Sequence, residues 1–195
     1  MQFDNIIKKR KSVRDFKKLK KALWKDILEA IDAANQGPLA GNINTLKFII
    51  IEEPSTIKEL AKHAHQSFIS QAGIVVVICS DDTHLEKLYG ERGRVYNKQQ
   101  AGAAIMTFLL KLVDIGLSSC WVGAFEDEIT KSILKIPEHI QIEAIIPIGY
   151  EKKVPGKNGK KRKRALENAI LWEDWKTKKR PALFKEHPEE PSEID

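Results

Sequence analysis

Apolar positions along this chain follow two alternating patterns, helical spacing and short unbroken β-branched runs. Residues 3 to 10 and 22 to 35 read as helices; in the second, Leu23, Ile27, Leu28, Ile31 and Ala34 recur every three or four positions, and Gly37-Pro38 stops it. Lys47 to Ile51 is a short apolar run closed by Glu52-Glu53-Pro54, which predicts a buried strand. Ser55 then stands where an N-cap is expected, for a helix reaching about Ser70 with Ile57, Leu60, Ala61 and Ala64 on its inner face. A second strand, Ile74 to Cys79, follows Gly73. Asn97 to Ile115 is the longest helix candidate: Ala101, Ala104, Ile105, Phe108, Leu109 and Leu112 form a broad apolar face, and Gly116 is placed to cap its end. Its early Ala-Gly-Ala-Ala stretch would admit another backbone at close range. Ser118 to Phe125 predicts a third strand or extended run, Glu126 to Leu134 a short helix, and Ile142 to Ile148 a fourth strand. Helices and short strands intermixed in this order give an α+β fold, with strand order left open.

Composition adds little to that picture until the ends are considered. A length of 195 residues with 42% hydrophobic content suits one core. Leu166, Ile170, Leu171, Trp172 and Trp175 carry more apolar surface than a free tail tolerates, so that segment is expected to pack on a neighbouring protomer or on its own core. Glu186 to Asp195 is acidic and expected to be mobile. No apolar run approaches the roughly 20 residues of a membrane helix, and the first residues lack the apolar centre of a signal peptide. The expectation is a soluble, cytoplasmic protein with no membrane partner. Cys79 and Cys120 lie in separate apolar stretches, without metal or disulfide spacing, and read as buried thiols.

Charge changes the picture more. The net charge is +6, yet Lys8 to Lys21 alone holds nine basic residues against one acid, and Glu151 to Arg164 holds eight against one. The rest of the chain is net acidic. A nucleic-acid-binding surface would spread into a broad basic stripe, and no aromatic-basic interleaving is present, so nucleic acid is not an expected partner. Two compact clusters instead suggest local anion sites, although lysine-rich runs also commonly just face water.

Four segments could carry chemistry. Arg10-Lys11-Ser12-Val13-Arg14 offers two guanidinium forks and a hydroxyl to one anion, a pairing suited to phosphate. The loop Gly37 to Asn44 carries Asn42 and Asn44, which either address the mixed donor and acceptor edge of a ring or only build the turn. Gly116 to Phe125 ends in Val122, Gly123 and Ala124, where small residues let the main chain approach a planar ligand and present N–H groups to it. Arg162-Lys163-Arg164 repeats the paired arginines after the last strand.

These segments, taken in order with Tyr89-Gly90, Gln100-Ala101-Gly102-Ala103-Ala104 and Pro147-Ile148-Gly149-Tyr150, resemble the nitroreductase family over roughly residues 3 to 168. The resemblance implies a mixed, mainly antiparallel sheet flanked by helices, and a homodimer in which both protomers build each flavin site. An FMN-binding domain would span residues 1 to 175, followed by a polar tail over 176 to 195. Carried over by motif position, Arg10, Ser12, Arg162 and Arg164 would hold the FMN phosphate, with Lys11 beside them. Arg14 would lie near the pyrimidine edge, Asn42 and Asn44 would meet the flavin or its surroundings, and main-chain N–H groups at Gly123 and Ala124 would approach N5, with Val122 beside them in the cofactor site. The implied activity is ping-pong transfer of hydride from NADH or NADPH through FMN to a nitroaromatic, quinone or similar small acceptor, with no catalytic protein acid or base. The chain departs from the family's loop pattern in having Leu39 for Ser, Asn44 for Gln, and Thr45-Leu46 for Pro-Trp; Gln100 replaces a common Asp. Flavin reduction, dehalogenation, dehydrogenation or non-catalytic flavin sensing on the same scaffold are the competing expectations.

Overall fold

The computed structural model describes residues 2–17, 20, 22–152 and 165–179. The chain divides into two compact units, Met1–Lys153 and Val154–Asp195. In the first unit, helices α1 (Phe3–Lys9) and α2 (Trp24–Ala34) precede strand β1 (Leu46–Ile51), helix α3 (Pro54–His63), strand β2 (Ile74–Ser80) and helices α4 (Thr83–Tyr89) and α5 (Glu91–Asp114). Strand β3 (Ser118–Ser119), helix α6 (Asp127–Leu134) and strand β4 (Gln141–Gly149) complete it.

The strands form one sheet in the order β1-β2-β4-β3, every neighbouring pair antiparallel. All seven residues of β2 are buried, because the sheet is covered on both faces and its central strand alternates between two cores. Ile74, Val76 and Ile78 point with Ala144, Ile146 and Ile148 of β4 into a core filled by α2 and α5 through Ile27, Ala30, Ile105, Phe108 and Leu112. Val75, Val77 and Cys79 point with Ile145 to the other side, against Ile57, Leu60 and Ala61 of α3 and Ile69. The register of β2 against β4 shifts between Ile78 and Cys79, so that Ile142 joins the second core although its parity matches the first. This bulge leaves Glu143 as the unpaired extra residue of β4, and it accepts a hydrogen bond from Ser80 Oγ at 2.5 Å and pairs with Lys98 Nζ at 2.9 Å.

Several boundaries differ from the sequence expectations, each for a local reason. The N-cap of α3 is Glu53, not Ser55: Pro54 takes the first helical position, where its missing N–H costs nothing, and the Glu53 carboxylate accepts from Ser55 N–H and Ser55 Oγ at 3.4 and 3.0 Å. That helix ends at His63, well short of Ser70, since His65 adopts a left-handed φ of 52° and the chain resumes as a 3-10 turn, Ser67–Gln71. Helix α5 begins at Glu91, six residues before Asn97; its first two turns are polar and carry no apolar period. Gly93 there meets α4 so closely that a Cβ would stand 2.2 Å from the Leu85 carbonyl oxygen. The run from Ser118 to Phe125 is a strand only over Ser118–Ser119, with one further bridge from Val122 to Ile145. Gly116 does end α5, at φ 84°: its N–H reaches Val113 O at 3.1 Å and Leu117 N–H reaches Leu112 O at 2.8 Å, a Schellman arrangement.

In the second unit Asp174 organises a short turn, accepting from Lys176 N–H at 2.7 Å, Thr177 N–H at 2.9 Å and Thr177 Oγ1 at 3.0 Å. Leu166 and Trp175 there are 71% and 88% exposed. Residues 186 to 195 lie outside the described residues. Among the described residues no helix is long and apolar enough to cross a membrane.

Candidate functional site

Extended backbone turns successive side chains to opposite sides, and this positions the first basic cluster. After α1, residues 10 to 17 run beside the sheet edge: Ser12 bridges Ser119 in parallel, Val13 N–H donates to Ser119 O at 2.9 Å, and Lys17 N–H donates to Tyr150 O at 2.8 Å. Val13 and Phe16 anchor the segment, buried in the second core. Gly149 admits Phe16, whose Cδ1 would lie 3.1 Å from a Cβ there. Ser12 and Arg14, on either side of the buried Val13, are exposed, as alternating extended backbone requires; Phe16, three residues from Val13 and also buried, shows that the alternation does not continue past Asp15.

The thiol of Cys120, next to Ser119 and buried in the same core as Val13 and Phe16, feels Arg10, Ser12 and Arg14. Burial pushes its thiol above the ordinary value, while the charge of Arg14, a hydrogen bond with Ser12 and the charge of Arg10 pull it down. Arg14 itself is exposed, its guanidinium 5.9 Å from the centre of the Phe68 ring. Lys11 points elsewhere, its Nζ 2.7 Å from Glu151 Oε1, so it fastens the segment to the chain leaving β4.

Cys120 opens the run that leads to the small residues. Val122 is buried, and both its N–H and its carbonyl pair with Ile145 at 3.0 Å, which fixes the backbone just ahead of Gly123. Gly123 and Ala124 are exposed, and among the described residues their N–H groups have no acceptor. Neighbouring residues hold the loop: Gln66 Nε2 donates to Ala124 O at 3.3 Å, Glu126 N–H donates to His63 O at 3.0 Å, and the Glu126 carboxylate meets His65 Nε2 at 2.9 Å and His63 Nδ1 at 3.3 Å. Gln66, Phe68, His63 and His65 had no sequence signal. They sit where periodicity extends a helix, and nothing in Ala64-His65-Gln66 announces the left-handed residue that breaks it.

The loop after α2 is built differently at its two asparagines. Asn44 is committed to the turn: its Nδ2 donates to Asn35 Oδ1 at 3.3 Å and its Oδ1 accepts from Leu46 N–H at 3.0 Å. Asn42 is exposed with φ 59°, its side chain without a partner among the described residues. Gln100, buried in α5, clamps this loop by accepting from Ala40 N–H at 3.0 Å and donating to Thr45 Oγ1 at 2.5 Å. Thr45 continues to Asn97 Oδ1 at 2.6 Å, and Asn97 Nδ2 to Ser80 Oγ at 2.8 Å. The structure thus joins Arg10, Ser12 and Arg14 to the edge leading into Val122, Gly123 and Ala124, while Lys11 and Asn44 serve their own neighbourhoods. Arg162 and Arg164 lie outside the described residues.

Comparison with known proteins adds independent findings. The sequence model of the Nitroreductase family matches residues 7–73 and 64–150. The chain is 28% identical over 196 residues to a Thermus thermophilus protein named NADH dehydrogenase, covering 84% of this chain and 92% of that one. It is 24% identical over 162 residues to the iodotyrosine deiodinase of Thermotoga neapolitana, covering 75% of this chain and 87% of the relative. Among solved structures, an FMN-dependent nitroreductase from Clostridium difficile shares the fold at a TM-score of 0.66 and 24% identity, over 76% of this chain and 87% of that one. With the family's sequence pattern matched through nearly the whole first unit and its fold reproduced, the chain belongs to the nitroreductase family.

Proposed function

We propose that this protein is an FMN-dependent oxidoreductase that takes hydride from NADH or NADPH and reduces a small acceptor, a nitroaromatic, a quinone or a similar molecule. The observation that carries it is the pairing of the segment bearing Arg10, Ser12 and Arg14 with Ser119, on the run that continues to the exposed N–H groups of Gly123 and Ala124, which have no acceptor among the described residues. Those donors fit FMN chemically: forked cations and a hydroxyl for the phosphate, and main-chain N–H groups for a ring nitrogen. A protein sharing this fold is FMN-dependent, and a relative is an NADH dehydrogenase by name.

Arg10 and Ser12 hold the phosphate in this reading, joined by Arg162 and Arg164 of the second basic cluster. Arg14 puts a fixed positive charge beside the ring's pyrimidine edge, which favours a negatively charged reduced form. Val122 fixes the strand so that Gly123 and Ala124 present their N–H groups in one orientation, and Asn42 offers its amide, without a partner among the described residues, to the ring's surroundings. When bound, FMN supplies the chemistry, accepting hydride from the nicotinamide and passing electrons to the acceptor in a ping-pong cycle. The protein's part is orientation and electrostatics.

A homodimer completes the site. Phe3 of α1, Leu88 of α4 and Val95 and Met106 of α5 are exposed apolar residues on helices that pack together, and nothing lies within 4 Å of the position a Cβ would take at Gly102. A second copy laid on α5 covers this face, and the exposed Leu166 and Trp175 provide further surface to bury. The FMN-binding domain then runs to about residue 175.

The test is the visible spectrum of the purified protein, followed by anaerobic additions of NADH and NADPH. Flavin bands that bleach with either donor are expected; a colourless protein that takes up no added FMN removes the reading. The deiodinase relative favours one second reading, reductive dehalogenation on the same scaffold. Iodide released from 3-iodo-L-tyrosine by the reduced protein would support it.

A further inference from the structure

Beside the Gly123–Ala124 loop, α3 and the turn after it enclose an open groove of about 410 Å³. Its rim carries Lys58 and Lys62 from α3 and Ser67 and Ser70 from the turn. Lys58 and Lys62 stand one helical turn apart, where like charges repel and weaken the helix unless an anion lies between them. Among the described residues neither lysine has a carboxylate partner. The nearby acids are engaged elsewhere: Glu59 lies 3.8 Å from His63, and Glu126 lies 3.3 and 2.9 Å from His63 and His65. What remains facing the groove is a pair of uncompensated ammonium groups and the Ser67 hydroxyl, since Ser70 Oγ donates to Ser67 O at 2.7 Å.

The groove also adjoins the loop that presents the free N–H groups. Gln66 lines it and donates to Ala124 O at 3.3 Å, and His65 lines it and bonds Glu126 at 2.9 Å. We infer that this groove is the subsite for an anionic group, a carboxylate or a phosphate, on the molecule that reacts beside Gly123 and Ala124. The inference rests on the oxidoreductase reading above and narrows its substrate class to anion-bearing molecules. Two sources share that chemistry, a carboxylate on the acceptor and the phosphates of the nicotinamide dinucleotide.

The FMN-loaded protein and its Lys58→Ala/Lys62→Ala double variant separate them. Turnover is measured with 4-nitrobenzoate and with 4-nitrobenzyl alcohol, which carry the same nitro group with and without a charge, and with NADH and NADPH as donors. A KM for 4-nitrobenzoate raised about tenfold, the equivalent of about 1.4 kcal/mol, with kcat kept and the alcohol unaffected, assigns the groove to the acceptor. A rise for the nucleotides alone, whether both or NADPH only, assigns it to the dinucleotide phosphates. Recovery in Lys58→Arg/Lys62→Arg is expected in either case. Unchanged KM values for every charged substrate, or equal changes for the acid and the alcohol, overturn the subsite. Calorimetric titration of 4-nitrobenzoate into both proteins reads the groove without turnover. Binding lost in the variant of a protein that holds no flavin would leave the subsite standing while the oxidoreductase reading fails.

Discussion

Ser12 and Arg14 are exposed because Val13 between them is buried, an alternation visible in the sequence once the segment is known to be extended. Arg10→Ala removes one charge-assisted partner from a bound phosphate and is expected to weaken FMN binding by about 1.5–3 kcal/mol, roughly ten- to a hundredfold in Kd. Fluorescence titration of FMN into the apoprotein measures it, and an unchanged Kd strikes Arg10 from the phosphate site. Cys79 carries a different consequence. Burial, followed by the charges of Glu143 and Asp127, pushes its thiol from 9.0 up to about 11, against the pull of Lys131. Between those values the unfolded chain gives up a proton that the folded chain keeps. This contribution is therefore fully present below pH 9 and lost as pH rises towards 11, by at most about 1.4 kcal/mol per pH unit. Urea midpoints at pH 8 and pH 10 should fall further for the native chain than for Cys79→Ala; equal falls would show that the thiol does not titrate in this way.

At the scale of elements, α5 does more than fill the core. Its apolar face from Ala101 to Leu112 is legible from periodicity, but the two buried polar residues ahead of that face, Asn97 and Gln100, connect the helix to the loop at Ala40, to Thr45 and to Ser80. Gln100→Leu takes the acceptor from Ala40 N–H and is expected to cost about 1–3 kcal/mol. Thermal unfolding reads the loss, and accelerated hydrogen exchange at Ala40 locates it; exchange unchanged at Ala40 would show that the loop is held by other means. The sequence could flag Gln100 only as a departure from a pattern, because its partners lie 55 and 60 residues away. The early start of α5 escaped detection for a related reason. Glu91 to Tyr96 is helical through its packing on α4 at Gly93, not through an apolar period of its own.

For the whole molecule, the exposed apolar residues on α1, α4 and α5 and the open space beyond Gly102 argue for a second copy. Sedimentation at micromolar concentration is expected to give a dimer. Met106→Glu, which places a charge one turn from Gly102, is expected to shift it towards monomer, since burying an unpaired charge costs about 2–5 kcal/mol in an interface. A native chain that sediments as a monomer with FMN bound would contradict the two-protomer site.

Taken by itself, the sequence determined the features that depend on neighbouring residues. These are the helical and strand periods, the Gly116 helix end, the burial of both cysteines, the fold class, and the paired arginines whose order with the later motifs resembles one enzyme family. Tertiary structure alone decided what depends on distant partners. It set the strand order β1-β2-β4-β3 and the bulge that turns Glu143 towards Ser80. It assigned Lys11 to Glu151 and Asn44 to its own turn, and it brought Phe68 to Arg14, and Gln66 and the His63–His65 pair to the loop around Ala124 and Glu126. The reason is physical: propensity and periodicity act over one or two turns of chain, whereas a hydrogen bond or an ion pair selects its partner by position in the folded molecule.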